Sequence, residues 1–190
     1  AGISCGALAT QAAPAKKPNI LIIVADDMGY SDAGCYGGEI KTPVLDRLAS
    51  NGLRFTQFYN TGRCWPSRTT LFTGYYAQAI RRDNLTGYQV DPKVLTGGAF
   101  GIRPRWAQLL PVYLKPQGYR SYISGKWHVD GKPLENGFDH SFITSNNYGF
   151  FRAVDDTEDD VKQPPVPEGP GSYSTIRIAD HAIKFQDLPV

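Results

Sequence analysis

The stretch Asn19-Ile-Leu-Ile-Ile-Val-Ala25 is a continuous apolar, β-branched run that ends at the acidic pair Asp26-Asp27. Such a run is typical of a strand that is buried on both faces of a parallel sheet. Farther along the chain, strand-like and helix-like segments alternate, which is the pattern of a parallel sheet with helices packed on it. The sequence therefore predicts an α/β fold with a mainly parallel sheet flanked by helices.

The segments that follow this run carry their own start and stop signals. Thr42 and Pro43 suit the N-cap and the first residue of a helix, and Gly52 suits the position just after its end. A proline inside a helix breaks or kinks it, so Pro111 interrupts one of the later helices. The remaining predicted elements are strands over 53–58 and 119–124, helices over 66–72 and 106–115, and a final helix capped by Ser174 or Thr175.

The region from 155 to 171 changes character. It opens with the acidic run Asp155-Asp-Thr-Glu-Asp-Asp160 and continues into a segment rich in proline and glycine. The run lacks the glycine and the terminal glutamate spacing of a calcium-binding loop. We therefore predict a solvated surface loop.

The bulk composition is that of an ordinary globular protein. The chain has 190 residues, 41% of them hydrophobic and 20% charged, and its formal net charge is +2. This length suits one domain. The basic residues are scattered rather than clustered, which argues against nucleic-acid binding. No segment approaches the roughly 18 uninterrupted apolar residues of a membrane span.

Residues 1–15 are rich in small and apolar residues, and the triplet Ala13-Pro14-Ala15 fits a small-residue cleavage site. We expect a signal-peptide remnant over 1–15 and hence a periplasmic or secreted protein, with a flexible N-terminal tail as the alternative. The chain has three cysteines, of which Cys5 lies in this segment. The other two are Cys35 and Cys64, so a disulfide scaffold is not expected.

Three short clusters carry residues suited to chemistry. The first is Asp26-Asp27, placed directly after the predicted buried strand, at the sheet edge where ligands bind in parallel α/β folds. Adjacent carboxylates repel each other unless a cation lies beside them, and a hard cation such as Ca²⁺ or Mg²⁺ prefers oxygen ligands. The alternative is a helix-capping acid beside a turn acid.

The second cluster is Cys64-Trp-Pro-Ser-Arg68. Pro66 suits the first turn of a helix, which places Cys64 at the helix N-terminus, where backbone N–H groups and the dipole favour an anion. Arg68 is four residues farther on and so lies on the same helix face, able to pair with metal carboxylates or with the nucleophile. The residues alone leave Cys64 as either a reactive thiol of low pKa or a buried structural one.

The third cluster is Gly125-Lys-Trp-His128, which follows the predicted strand over 119–124. This places Lys126 and His128 at the same carboxyl edge as Asp26, where their side chains could point into one pocket. A surface lysine and a hydrogen-bonded histidine are the alternative. His140 and His181 have no comparable setting, and we interpret both as non-catalytic.

The pattern Cys-x-Pro-Ser-Arg at 64–68, followed by Leu-x-Thr-Gly at 71–74, resembles the signature of type I, formylglycine-dependent sulfatases of the arylsulfatase kind. The segments 17–30, 41–49 and 125–128 resemble the same family, and the likeness covers about residues 17–150. It implies the alkaline-phosphatase-like fold. The family often continues its Gly-Lys-Trp-His segment with Leu-Gly, whereas Val129-Asp130 follows here.

The resemblance also implies chemistry. Cys64 would be oxidised to formylglycine by a formylglycine-generating enzyme, and Asp26, Asp27 and Cys64 would bind a divalent metal, Ca²⁺ before Mg²⁺. Cys64, Arg68, Lys126 and His128 would then be the catalytic residues. The substrate would be a sulfate monoester of a small molecule or a glycan, and His128 would take the proton whose removal expels sulfate.

Members of the family are longer and complete the metal site with later residues. We therefore expect residues 16–190 to be the N-terminal part of a truncated catalytic domain, inactive by itself. Two carboxylates are too few for a cation that takes about six oxygens, unless water supplies the rest. The competing interpretations are a phosphonate monoester or phosphodiester hydrolase of the same superfamily, and a non-catalytic fragment.

Overall fold

The computed structural model describes residues 17–83, 101–144, 150–169 and 172–188. The chain divides into two compact units, Ala1–Phe55 and Thr56–Val190. The expected signal-peptide segment over 1–15 lies outside the described residues. Within the described ranges, no helix has both the length and the apolar character needed to cross a membrane.

The apolar run in the first unit does not form the predicted strand. Residues 19–25 are assigned neither helix nor strand, and Leu21 and Ile23 are each 70% exposed. A strand requires a neighbour whose backbone N–H and C=O groups pair with its own, and the described part of this unit contains no other strand. The predicted strand over 53–58 is also wrong, since none of its residues is assigned to a strand and Leu53 is 89% exposed.

The helix predicted after Thr42 is confirmed as α1, Pro43–Ser50, with Pro43 in its first turn. Thr42 occupies the N-cap position, but its side chain does not cap the helix amides. Its hydroxyl instead accepts a hydrogen bond from the Gly34 amide (2.8 Å) and donates one to the Asp46 carboxylate (2.9 Å). These bonds fasten the 3₁₀ turn Gly34–Tyr36 to the start of α1.

The described residues of the second unit form a four-stranded sheet. Its strands are, in spatial order, β1, Tyr122–Gly125, β2, His140–Ile143, β3, Thr157–Glu158, and β4, Val161–Lys162. The strands β1 and β2 pair in parallel, whereas β2–β3 and β3–β4 are antiparallel. The α/β class is thus confirmed, and the described sheet is mixed because a hairpin extends its parallel pair.

The acidic run at 155–160 is not the solvated loop that its composition predicts. Asp159 and Asp160 have positive φ angles and form the two-residue turn between β3 and β4. Asp156 is 4% exposed and pairs with Arg177 at 3.0 Å. The prediction failed because a buried carboxylate requires a charged partner, and this partner lies 21 residues farther along the chain.

The described part of the second unit contains three further α-helices. The predicted helix at the cysteine motif is confirmed as α2, Cys64–Thr73, and it ends at Gly74 in the left-handed conformation with φ 74°. The helix α3, Leu110–Leu114, carries Pro111 in its first turn, so Pro111 starts a short helix rather than kinking a longer one. The final helix is confirmed as α4, Ser174–Gln186.

The hydrophobic core of the second unit lies between α2 and the segment that follows β1. Trp127 and Phe138 are buried with their rings edge to face at 5.7 Å, and Phe72 of α2 packs against both. Such aromatic contacts add to the free energy gained from burial. The packing fixes α2 against the chain on either side of Trp127.

Candidate active site

Cys64 is the first residue of α2. The preceding residue, Arg63, is the N-cap in an extended conformation, and Cys64 itself is a half-buried free cysteine. The first amides of a helix lack intrahelical partners and favour an anion. The predicted helix at the cysteine motif is therefore confirmed, and it starts two residues earlier than the predicted bounds of 66–72.

Arg68 lies one turn after Cys64 and is buried. Its Nη1 donates a hydrogen bond of 2.6 Å to the backbone carbonyl of Lys126. The sequence suggested metal carboxylates or the nucleophile as partners of this guanidinium, whereas this bond goes to the main chain. Arg68 therefore connects α2 to the segment after β1.

That segment, 126–128, leaves the end of β1 with Lys126 and His128 half-buried on either side of the buried Trp127. The indole N–H of Trp127 donates to the Gly131 carbonyl at 2.8 Å. The ring of His128 lies 5.6 Å from that of Trp65, the residue next to Cys64. The second unit thus brings together the start of α2 and the predicted Lys126–His128 pair.

His128 has a left-handed backbone, with φ 51°. Residues other than glycine seldom adopt this conformation, and they do so mostly where the surroundings enforce it. Asp27, in the first unit, is also left-handed, with φ 56°. Two of the six residues singled out from the sequence therefore have uncommon backbone conformations.

A buried charge cluster that the sequence did not predict lies beside His128. Arg82 is 3% exposed, and its Nη2 donates to the His128 carbonyl at 3.4 Å. Asp130 Oδ1 lies 3.5 Å from Arg82 Nε, and Asp130 Oδ2 lies 3.3 Å from Arg103 Nε. No local sequence signal marks Arg82, and Asp130 stood out only as a departure from the family pattern.

The pKa of the Arg82 guanidinium reflects this burial. Burial lowers the pKa, the negative charge of Asp130 raises it, and the positive charge of Arg103 lowers it again, so that the result lies below the ordinary value. Removal from water disfavours the charged form of an arginine. Asp130 is therefore the group that offsets the desolvation of Arg82.

Asp26 and Asp27 are exposed residues of the first unit. Their carboxylate oxygens are the donor type that Ca²⁺ and Mg²⁺ prefer, so the residues fit a hard divalent cation as part of its ligand set. The described ranges contain no cluster of three or more His, Cys, Asp or Glu residues that could hold a metal ion. A cation held by these two carboxylates would therefore need further ligands.

His140 and His181 pack between β2 and α4. His140 Nδ1 lies 2.8 Å from Asp159 Oδ2, and the His181 ring stacks on Phe142 with 3.5 Å between centroids. The His181 Nδ1 also lies 2.8 Å from the Arg177 carbonyl. These contacts join the β3–β4 hairpin and α4 to the sheet, which suits the non-catalytic interpretation of both histidines.

Comparison with known proteins identifies several related chains. The family model described as Sulfatase matches residues 18–188. N-acetylgalactosamine-6-sulfatase of Homo sapiens is 41% identical over 145 residues, which are 69% of this chain and 26% of that protein. Arylsulfatase of Klebsiella aerogenes is 35% identical over 138 residues, which are 69% of this chain and 29% of that protein. The chain thus spans between a quarter and a third of the length of these relatives.

Solved structures show the same relationship. The structure of BT4656 in complex with its substrate D-glucosamine-2-N,6-O-disulfate has a TM-score of 0.70 to this chain at 30% sequence identity. The match covers 92% of this chain and 32% of that one. This likeness confirms the α/β fold of the alkaline-phosphatase-like class that the sequence predicted.

Proposed function

The chain belongs to the sulfatase family, and from this membership we propose that the full-length protein hydrolyses sulfate monoesters with formylglycine, made from Cys64, as its nucleophile. The main support is the hydrogen bond of 2.6 Å from Arg68 to the Lys126 carbonyl. It connects the helix that starts at Cys64 to the segment that carries Lys126, one of the catalytic residues predicted from the sequence. The proposal assigns one sulfate site to this junction.

The residues of the junction suit a sulfate group. The backbone amides at the start of α2 are oriented toward an anion, and the ammonium group of Lys126 adds a positive charge. Donors of this kind stabilise charge that develops on the sulfuryl oxygens in the transition state, provided that they are held in place before the reaction. The buried Arg68 holds the main chain of Lys126 in place.

Formylglycine supplies, when hydrated, two hydroxyl groups on one carbon, one to attack sulfur and one whose deprotonation releases sulfate. A cysteine or serine at position 64 has no second hydroxyl. We assign that proton transfer to the imidazole of His128, since histidine can accept a proton near neutral pH. The half-buried ring of His128 lies beside Trp65 in the first turn of α2.

Asp26 and Asp27 are the proposed protein ligands of a divalent metal, with Ca²⁺ favoured over Mg²⁺. Such a cation supplies Lewis-acid chemistry that lowers the pKa of a hydroxyl group and neutralises charge on an oxyanion. Asp27 has a positive φ, which is uncommon for aspartate and is met more often at functional sites. This backbone conformation supports the assignment.

The proposed substrate class is a sulfated small molecule or a sulfated glycan. One matched structure holds a disulfated glucosamine described as its substrate, and one relative is named for the 6-sulfate of N-acetylgalactosamine. A formylglycine-generating enzyme is the proposed modifying partner of Cys64. The small-residue segment at 1–15 supports a periplasmic or secreted location.

The closest rival is a phosphonate monoester or phosphodiester hydrolase. Turnover of nitrophenyl sulfate and of a nitrophenyl phosphonate by the full-length protein separates the two activities. We expect kcat/KM to be higher for the sulfate ester by about a hundredfold or more, because a site built for one oxyanion rejects another that it pairs poorly. The opposite order would favour the rival, and turnover of neither ester would favour a non-catalytic protein.

A further inference from the structure

Two arginines bind the two backbone carbonyls that flank Trp127. Arg68 donates to the Lys126 carbonyl at 2.6 Å, and Arg82 donates to the His128 carbonyl at 3.4 Å. Both arginines are also connected to α2. Arg68 is a residue of the helix, and Arg82 Nε lies 3.4 Å from the hydroxyl of Thr69 in the same helix. The segment 126–128 is thus attached to α2 at both of its ends.

Arg82 is buried in this position and therefore needs a nearby negative charge. It is 3% exposed, and a buried guanidinium is costly unless it is paired. Asp130 lies 3.5 Å from it and, on its other oxygen, 3.3 Å from Arg103. Neither contact is a hydrogen bond, so the attraction is mainly Coulombic. The side chain of Asp130 therefore separates and neutralises two arginines that would otherwise repel each other.

The backbone conformation of His128 depends on contacts such as the one from Arg82. Its φ of 51° is uncommon for a residue with a Cβ and persists only when the surrounding contacts enforce it. The contact from Arg82 falls on the carbonyl of His128 itself. Loss of that contact would free the main chain at the residue whose imidazole must be aimed at the sulfate site.

We propose that Asp130 is a positioning residue for the active site, holding Arg82 so that Arg82 fixes the His128 backbone against α2. This inference rests on the proposed function, in which His128 and Cys64 act on one sulfate group. Asp130 itself does not contact the substrate. It stands where the family often has Leu-Gly after the histidine, and the structure gives the substituted residue a specific electrostatic role.

The first test is Asp130→Asn in the full-length protein. The change keeps the shape of the side chain and removes its charge. We expect kcat to fall about 10- to 100-fold while KM changes less than about threefold, because a displaced catalytic group affects the chemical step more than substrate binding. Hydrogen exchange at 126–129, measured by mass spectrometry, should become faster.

Asp156→Asn is the matched control. Asp156 is also a buried aspartate paired with an arginine, at 3.0 Å from Arg177, but its partner lies on α4. We expect this variant to lose thermal stability and to keep kcat within about threefold, with unchanged exchange at 126–129. An equal fall in kcat for both variants would show that Asp130 has only a general structural role and would overturn the inference.

A double-mutant cycle tests whether Asp130 affects kcat through His128. If Asp130 acts through His128, Asp130→Asn should lower kcat little further in a His128→Ala background, because the two changes remove the same contribution. Losses of kcat that multiply would overturn the inference.

Arg82→Lys is the substitute variant if Asp130→Asn does not accumulate as folded protein. A lysine keeps the charge but cannot reach both Thr69 and His128. We therefore expect the same loss of kcat and the same faster hydrogen exchange at 126–129.

The exchange measurement separates this inference from the proposed function. If the wild-type protein releases no sulfate, the proposed function fails. Faster hydrogen exchange at 126–129 in Asp130→Asn would then still support the role of Asp130 in holding the His128 backbone through Arg82. If the wild type is an active sulfatase while kcat and exchange are unchanged in folded Asp130→Asn, the inference fails and the proposed function stands.

Discussion

Arg68 Nη1 donates a hydrogen bond of 2.6 Å to the backbone carbonyl of Lys126, 58 residues farther along the chain. The bond joins the helix that starts at Cys64 to the segment that follows β1. It is charge-assisted and part-buried, which makes it stronger than an exposed bond between neutral groups. Placement of Lys126 relative to Cys64 therefore depends on Arg68.

Replacing Arg68 tests this dependence. In Arg68→Lys the charge remains, but the forked guanidinium geometry is lost, and a lysine does not reproduce it. We expect kcat/KM for a sulfate ester to fall about a hundredfold or more, and the free energy of unfolding to fall by about 1–3 kcal/mol as the buried carbonyl loses its donor. Steady-state kinetics and urea unfolding measure the two effects.

Arg105→Lys is the control for that variant, because Arg105 is exposed. Both its activity and its stability should stay close to wild type, since surface substitutions change the free energy of unfolding by about 0.5 kcal/mol or less. Wild-type kinetics in Arg68→Lys would show that the bond to Lys126 is not needed for the site.

Cys64→Ala and Cys64→Ser test the nucleophile. We expect neither variant to turn over a sulfate ester, and the serine variant to react at most once because it has no second hydroxyl to release sulfate. The thermal midpoint should change little, since Cys64 is a half-buried free thiol. Sustained sulfate release by either variant would contradict the proposed mechanism.

Sulfatase activity should depend on a divalent metal that Asp26 and Asp27 bind. Chelation of divalent cations should abolish activity, and added Ca²⁺ should restore it. We expect Asp26→Asn and Asp27→Asn each to weaken Ca²⁺ binding by about tenfold or more in calorimetry, because each removes a charged oxygen ligand. Glu39→Gln, an exposed acid of the same unit, is the control and should bind as wild type.

Asp139 gives a pH dependence of stability. Burial raises the pKa of its carboxyl, but the hydrogen bond from the Ser121 amide and the charge of Lys115 at 3.2 Å lower it, and the net pKa lies below the ordinary value. A carboxyl whose pKa is lower in the folded state stabilises the fold above its unfolded pKa, near 4. That stabilisation is lost as the pH falls through the folded pKa.

Asp139→Asn should therefore reduce the free energy of unfolding at pH 7, and the difference from wild type should shrink as the pH falls below about 4 and the wild-type carboxyl becomes protonated. Urea unfolding of both proteins across this pH range measures the difference. A constant difference across the range would mean that the charge of Asp139 does not contribute.

The sequence predicted those elements whose signals are local. The helices α1, α2 and α4 were found from proline, glycine and apolar spacing, and all three are confirmed. The run at 19–25 and the segment at 53–58 were wrong as strands because a strand depends on a partner that local sequence does not specify. The strand β2 was missed, since His140–Ile143 is too short to show a clear pattern.

In the candidate site, too, local features could be predicted and contacts between distant residues could not. The helix start at Cys64 and the position of Lys126 and His128 after a strand could be predicted from short motifs. The bond from Arg68 to Lys126 and the placement of Asp130 between Arg82 and Arg103 could not, because they join residues that are distant in sequence through buried charge. The uneven burial of the acidic run at 155–160 escaped prediction for the same physical reason.

The mass of the tryptic peptide that contains residue 64, taken from active full-length protein, is the most direct test of the central claim. We expect a peptide that carries formylglycine or its hydrate in place of cysteine, at a stoichiometry that rises and falls with sulfatase activity across preparations. An unmodified Cys64 thiol throughout a fully active preparation would contradict it.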